Sequence, residues 1–301
     1  MTKYSIVFPG QGAQKQGMGM DLLEISKEIF DRANNIYPDF QSILQKTDQE
    51  LSNTLYSQPA LYVVSCAIWL AMKDSVGPAY LAGHSVGEYA ACYAAGCFSF
   101  EDGLRLIKLR SELMAKCSGI MFACIANFED VANFAKNIND STGLVCEVSN
   151  HNLDSQIIIS CDERLKNQIN QSYKEFGIKR CIQLKVSGGF HSSLVESVQK
   201  ELAKEIEKIN FNDPKIAVIS NKTGEASLDG SEIKNNLIDH VTHGVKWKKS
   251  MDCMKDNGVE MLVEMGCGNV LSKLAEKSNM KSMTIGSIDD ILCAKKEFLN
   301  V

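Results

Sequence analysis

Apolar and polar positions along this chain fall into two textures. Residues 4–8, Tyr-Ser-Ile-Val-Phe, form a short apolar run that predicts a buried strand, which Pro9-Gly10-Gln11-Gly12 then turns. Helical segments follow to about residue 75, with Leu61, Val64, Ile68 and Ala71 spaced for a buried helix. A second apolar run, Tyr80-Leu81-Ala82, ends at Gly83, and a helical stretch leads from there to Gly96, placed as a C-terminal glycine. Ser99-x-x-Asp102 reads as an N-cap for a helix running to about Cys117.

The second texture begins near residue 119. Strands are predicted over 120–126, 144–149, 156–160 and 181–186, with helices over 129–138 and 164–176, the latter closed by Gly177. The order β-α-β-β-α-β is that of a ferredoxin-like unit. Beyond it, a helix over 194–209, strands over 216–220 and 259–265, and a helix over 269–277 resume the first texture. The expected architecture is α/β. Residues 1–118 and 190–301 make a large hydrolase-like domain with a parallel sheet, and residues 119–189 form a small inserted ferredoxin-like subdomain.

One position breaks the pattern. On the helix after Ser99, Gly103, Leu106, Ile107, Leu113, Met114 and Cys117 share a face, and Arg110 sits in its middle. Arg105, Lys108, Glu112 and Lys116 point the other way, to solvent. A guanidinium on an apolar stripe needs an anionic partner. That partner is either an internal carboxylate or the carboxylate of a ligand gripped by the planar fork.

The second apolar run carries the chemistry. Gly83-His84-Ser85-Val86-Gly87 stands at a strand-to-helix junction, the layout of a nucleophile elbow. The glycines allow the tight turn, and the helix start turns N–H groups toward the reacting oxygen. A serine nucleophile needs a base near neutrality, which favours histidine. Of His84, His151, His191, His240 and His243, His191 is the candidate, because it stands between a strand end and a helix. No aspartate or glutamate presents itself as a third member.

Bulk properties narrow the field. Hydrophobic residues make up 45% and charged residues 23%, ordinary for a globular protein, and the net charge of −5 with no basic stripe argues against nucleic acid. The eleven cysteines form no Cys-x-x-Cys, so reduced thiols in a cytoplasmic protein are expected. No run reads as membrane-spanning, and no membrane partner is expected. His240-x-x-His243 has a metal-compatible spacing but no third ligand nearby, so no metal is expected. Gly10-Gln11-Gly12 and Gly266-Cys267-Gly268 each lack the third glycine of a nucleotide fingerprint, and no nucleotide cofactor is expected.

Several separated motifs now converge. Phe8-Pro9-Gly10-Gln11-Gly12, Gln58-Pro59-Ala60, Gly83-His84-Ser85-Val86-Gly87-Glu88, Phe190-His191-Ser192 and Gly266-x-Gly268-x-Val270-Leu271 resemble, in collinear order over nearly the whole chain, the motifs of the malonyl-CoA:acyl carrier protein transacylases. The resemblance implies a ping-pong transfer of malonyl from malonyl-CoA to the phosphopantetheine thiol of acyl carrier protein, through a malonyl-serine. It implies Ser85 as nucleophile, His191 as base, the backbone N–H groups of Gln11 and Val86 as oxyanion hole, and Arg110 as the grip on the malonate carboxylate. It also implies a backbone carbonyl in place of a third acid, expected from Lys246 in Gly244-Val245-Lys246-Trp247. Gln58, Asn150 and Phe190 are expected to line the substrate pocket, and Phe190 goes with malonyl rather than a bulkier extender.

The chain departs from the family where Gly244 replaces a common proline, where Cys267 replaces another, and where Asn150-His151-Asn152-Leu153-Asp154 stands for an Asn-x-Asn-Ser-Pro segment. The family works without a cofactor, malonyl-CoA being substrate, and is often monomeric, so a monomer is expected. Both fatty acid and polyketide synthesis use such enzymes, and the stretches 58–64 and 219–223 lean toward the stand-alone polyketide type. The alternatives are an acyl hydrolase that clears stalled carriers and a non-catalytic docking subunit. Arg110 argues against the first, and the retention of both Ser85 and His191 against the second.

Overall fold

Ten strands divide into two sheets in a computed structural model that describes residues 2–299. β1 (Tyr4–Phe8), β2 (Leu81–Gly83), β7 (Val218–Ile219), β8 (Ala226–Ser227), β9 (Met261–Met265) and β10 (Lys281–Ile285) form the larger, in the order β10-β9-β1-β2-β7-β8. Its neighbours are parallel except for β8, which closes one edge antiparallel. Alternate residues serve opposite faces. Ile6, Phe8, Leu81 and Val218 enter the main core, while Val7, Ala82 and Ile219 enter a second core around Trp247 and Met251. A parallel sheet covered on both faces gives the short apolar runs seen in the sequence.

β3 (Ile120–Ile125), β4 (Cys146–Leu153), β5 (Gln156–Cys161) and β6 (Arg180–Gln183) form an antiparallel sheet in the order β4-β5-β3-β6, the expected ferredoxin-like arrangement. One face packs under the helix Phe128–Thr142 through Phe122, Ile157 and Ile159. Met121, Ala123 and Ile158 on the other face turn toward the larger unit and join its core. Facing the two units this way leaves a cleft between them.

Local signals place several ends as expected. Gly96, at φ 86°, closes the helix Gly87–Ala95, and Ser99 caps the helix Phe100–Met114 by accepting from Asp102 N–H. Other expectations need correction. The strand predicted over 181–186 ends at Gln183, because the chain peels away toward Ser187-Gly188-Gly189. The helix predicted over 164–176 is one α-helical segment, Lys166–Ser172, between two 3-10 turns. The segment Thr54–Ser75 is long and apolar enough to span a membrane, contrary to the reading above, yet most of it is buried in this core. β10 gave no sequence signal, since Lys281-Ser282-Met283-Thr284 stays partly exposed at the sheet edge.

Candidate active site

The larger sheet sends its parallel strands in one direction, and their carboxyl ends carry the site, as parallel sheets commonly do. β2 ends at Gly83 and the helix begins at Gly87. A Cβ on Gly87 would lie 2.2 Å from Phe8 O, so only glycine lets the elbow seat against β1. Ser85 is held at φ 52° in the left-handed region, with its N–H donating to Asn221 Oδ1 at 2.7 Å. Its Oγ faces the cleft.

His191 comes from the loop between β6 and the helix Glu196–Lys208, and it too has positive φ, 56°. Nε2 lies 2.8 Å from Ser85 Oγ. Nδ1 lies 3.1 Å from His240 O and 3.2 Å from His243 O. Two carbonyls can only accept, so Nδ1 carries the hydrogen and Nε2 is left to accept from Ser85. Burial first, then the Arg110 charge, pushes the imidazole down to about 3, which keeps it an unprotonated base.

The orienting carbonyl therefore differs from the expectation. Lys246 does not supply it: Lys246 O accepts from Ser250 N and Ser250 Oγ at the start of the helix Trp247–Asp256, and Lys246 N donates to Asn221 O. Helix geometry consumes that carbonyl, and the preceding turn offers those of His240 and His243 instead. The spacing His240-x-x-His243 thus serves through its backbone, and no group of residues fit to hold a metal occurs among the described residues.

Arg110 is 1% exposed. Its Nη1 donates to Gln58 Oε1, and Nη2 donates to Ser85 Oγ at 3.1 Å. Nε has no partner, and among the described residues no carboxylate lies within ion-pairing distance. The question left open by the sequence resolves against an internal carboxylate. Gln58 is held in turn by Thr54 Oγ1 and Met114 Sδ, so the fork is pre-set.

These groups line a cleft of about 380 Å³ with Gln11, Val86, Asn150, Asn152 and Phe190, walled by Met121, Ala123 and Ile158 from the second sheet. The backbone N–H groups of Gln11 and Val86 find no acceptor among the described residues. Asn150 is buried with its Oδ1 unpaired. Lys246 is not among the lining residues. Sequence reasoning missed Asn221, which holds Ser85 N–H and donates through Nδ2 to Gly83 O, and Asn152, which pairs with His84 Nε2 at 3.0 Å. The stretch Ile219-Ser-Asn-Lys-Thr223 was noticed, but nothing in it signalled a contact with the elbow.

Comparison with known proteins agrees with this geometry. Residues 5–283 match the family described as the acyl transferase domain. The chain is 36% identical over 297 residues to a malonyl CoA-acyl carrier protein transacylase of Synechocystis, covering 96% of this chain and 99% of that one. An acyl carrier protein S-malonyltransferase of Vibrio cholerae superposes with a TM-score of 0.91 at 33% identity, covering 97% and 100% of the two chains. A malonyl-transacylase solved in complex with its type II polyketide acyl carrier protein superposes with a TM-score of 0.92 at 27% identity, covering 98% and 100%.

Proposed function

The chain belongs to the acyl transferase domain family, and from that premise we propose that it transfers malonyl from malonyl-CoA to the phosphopantetheine thiol of acyl carrier protein. The observation that carries the substrate class is Arg110: a buried guanidinium, 3.1 Å from the nucleophile's Oγ, with no carboxylate of the protein to meet it. Malonate supplies that carboxylate. An acetyl group in the same place leaves the guanidinium unpaired and is selected against.

The chemistry follows from the hydrogen positions. His191 Nε2 takes the Ser85 hydroxyl proton as Oγ attacks the thioester carbon. The N–H groups of Gln11 and Val86 receive the developing oxyanion, a contribution of about 10²–10³ in rate for such donors. The C–S bond breaks, the proton passes from His191 to the CoA sulfur, and malonyl-Ser85 remains. The carrier thiol then attacks the ester, its proton going through His191 to Ser85 Oγ. Gln58, Asn150 and Phe190 line the cleft that takes the acyl group. The same reading has the chain act as a cytoplasmic monomer, with malonyl-CoA as substrate and no cofactor. Arg110 also counts against the hydrolase alternative.

The test is acyl-CoA selectivity. Wild type is expected to load malonyl-CoA in strong preference to acetyl-CoA. Arg110→Ala should lower kcat/KM for malonyl-CoA about 30- to 5,000-fold, the equivalent of about 2–5 kcal/mol. Unchanged malonyl loading by the folded variant refutes the carboxylate role.

A further inference from the structure

Behind Ser85 and His191 lies a group of buried polar side chains that the transfer chemistry leaves unused. Glu88 stands three residues after the nucleophile on the elbow helix and is 1% exposed. Its Oε1 accepts from Asn221 N–H at 3.2 Å. Its Oε2 has no hydrogen-bond partner and lies 3.5 Å from Nδ1 of His240, also 1% exposed. Neither ring nitrogen of His240 has a partner. Buried polar atoms are rarely left so, and one hydrogen shared between Oε2 and Nδ1 satisfies two of the three.

Where that hydrogen resides follows from the surroundings. Burial holds the Glu88 carboxyl up to about 8, with bonds from Asn221 and Ser220 and the Arg110 charge opposing it only in part. Burial first, with the Arg110 charge beside it, holds His240 well below its ordinary range. Tyr89 is pushed up to about 12 and the Cys92 thiol, one turn along from Glu88, is also pushed up, so both stay neutral. These surroundings favour the carboxyl as donor and the imidazole as acceptor across the 3.5 Å approach.

Each end of this link reaches one half of the catalytic pair. Asn221 accepts from Ser85 N–H through Oδ1 and donates to Gly83 O through Nδ2, fixing the strained backbone of the nucleophile. His240 accepts through its backbone O from His191 Nδ1, and its ring centroid lies 5.2 Å from that of His191. We propose that Glu88 is a positioning residue acting as a neutral acid, tying Asn221, which holds the nucleophile, to His240, whose carbonyl holds the base. The proposal rests on the acyl-transfer reading above. Its chemistry singles out glutamine as the faithful substitute: the amide oxygen accepts from Asn221 and the amide N–H donates to His240. A carboxylate has no hydrogen to offer there.

The test follows malonyl-serine formation in single turnovers from pH 6 to 9, in wild type, Glu88→Gln and Glu88→Ala, with circular dichroism to confirm folding. Wild-type loading should fall on the alkaline side around pH 8, where the acid loses its hydrogen. Glu88→Gln should load at about the wild-type rate at pH 7 and lack that alkaline limb. Glu88→Ala should lose about 10–100-fold in kcat with KM nearly unchanged, as when other outer partners are removed. Infrared difference spectra at pH 7, with no substrate present, should show a protonated-carboxyl stretch in wild type that Glu88→Gln lacks. Loss of that band from wild type, an equally slow Glu88→Gln, or an alkaline limb that survives in it overturns the proposal. If Glu88→Ala does not fold, the glutamine variant and the infrared band decide alone. A wild type that shows the band but loads no malonyl counts against the transfer reading and leaves the neutral acid standing.

Discussion

Four non-glycine residues among those described have positive φ, and two of them are Ser85 and His191. Strain of this kind persists only where the surroundings hold it, and here Asn221 and the His240 and His243 carbonyls do so. Ser85→Ala should form no acyl-enzyme by intact mass while melting near the wild-type temperature. Asn221→Ala releases the Ser85 amide and should slow loading about 10–100-fold, read in single turnovers. At this scale the sequence was legible where a side chain is odd for its place. Ser85 stands between glycines at an elbow, Arg110 interrupts an apolar stripe, and His191 follows a strand end. It was illegible where the work is done by a backbone carbonyl, which any residue carries. Hence Lys246, three residues past His243, was expected and the turn before it was found.

At the scale of elements, the elbow is the tightest junction. A Cβ on Gly83 would lie 2.0 Å from Gly87 O, and one on Gly87 would press on Phe8 O. Gly87→Ala should therefore cost at least the 1–3 kcal/mol typical of overpacking, seen as a lower urea midpoint, with loading falling alongside. Ser99→Ala removes only a cap and should cost about 1 kcal/mol with loading unchanged. Caps and closing glycines were readable because their chemistry is local. The edges of sheets were not. β10 mixes polar and apolar residues at an exposed margin, and the chain beyond Gln183 keeps a strand-like composition after leaving the sheet.

At the scale of the whole molecule, the site exists because two sheets face each other across a cleft, with Ser85 on one unit and the apolar wall on the other. The β-α-β-β-α-β order was enough to find the second sheet, but the facing of Met121 and Ile158 toward Ser85 is a tertiary fact. Burial also sets the pH response. His84, His191 and His240 are held neutral in the fold, so below about 6.5 the unfolded chain binds protons that the fold does not, and stability falls with acid. Glu88 and Glu264 have the opposite sign. From about 4.5 to 8 the fold keeps the Glu88 proton that the unfolded chain has released, so stability falls as pH rises. With partly buried His151 added, four histidines outweigh two carboxyls below about 6.5, and above it the carboxyls act, joined at higher pH by the buried thiols of Cys66 and Cys267 with the same sign. The melting temperature should peak near pH 6.5, and a continued rise toward pH 8 would contradict these burial states.

The central claim is a malonyl-serine that moves to a carrier thiol. Intact-protein mass after brief exposure to malonyl-CoA, followed by phosphopantetheinylated acyl carrier protein, tests it most directly. The predicted result is one malonyl group on the wild-type chain, none on Ser85→Ala, and its passage to the carrier faster than its loss to water. No adduct, or one lost at the same rate with and without the carrier, contradicts the account.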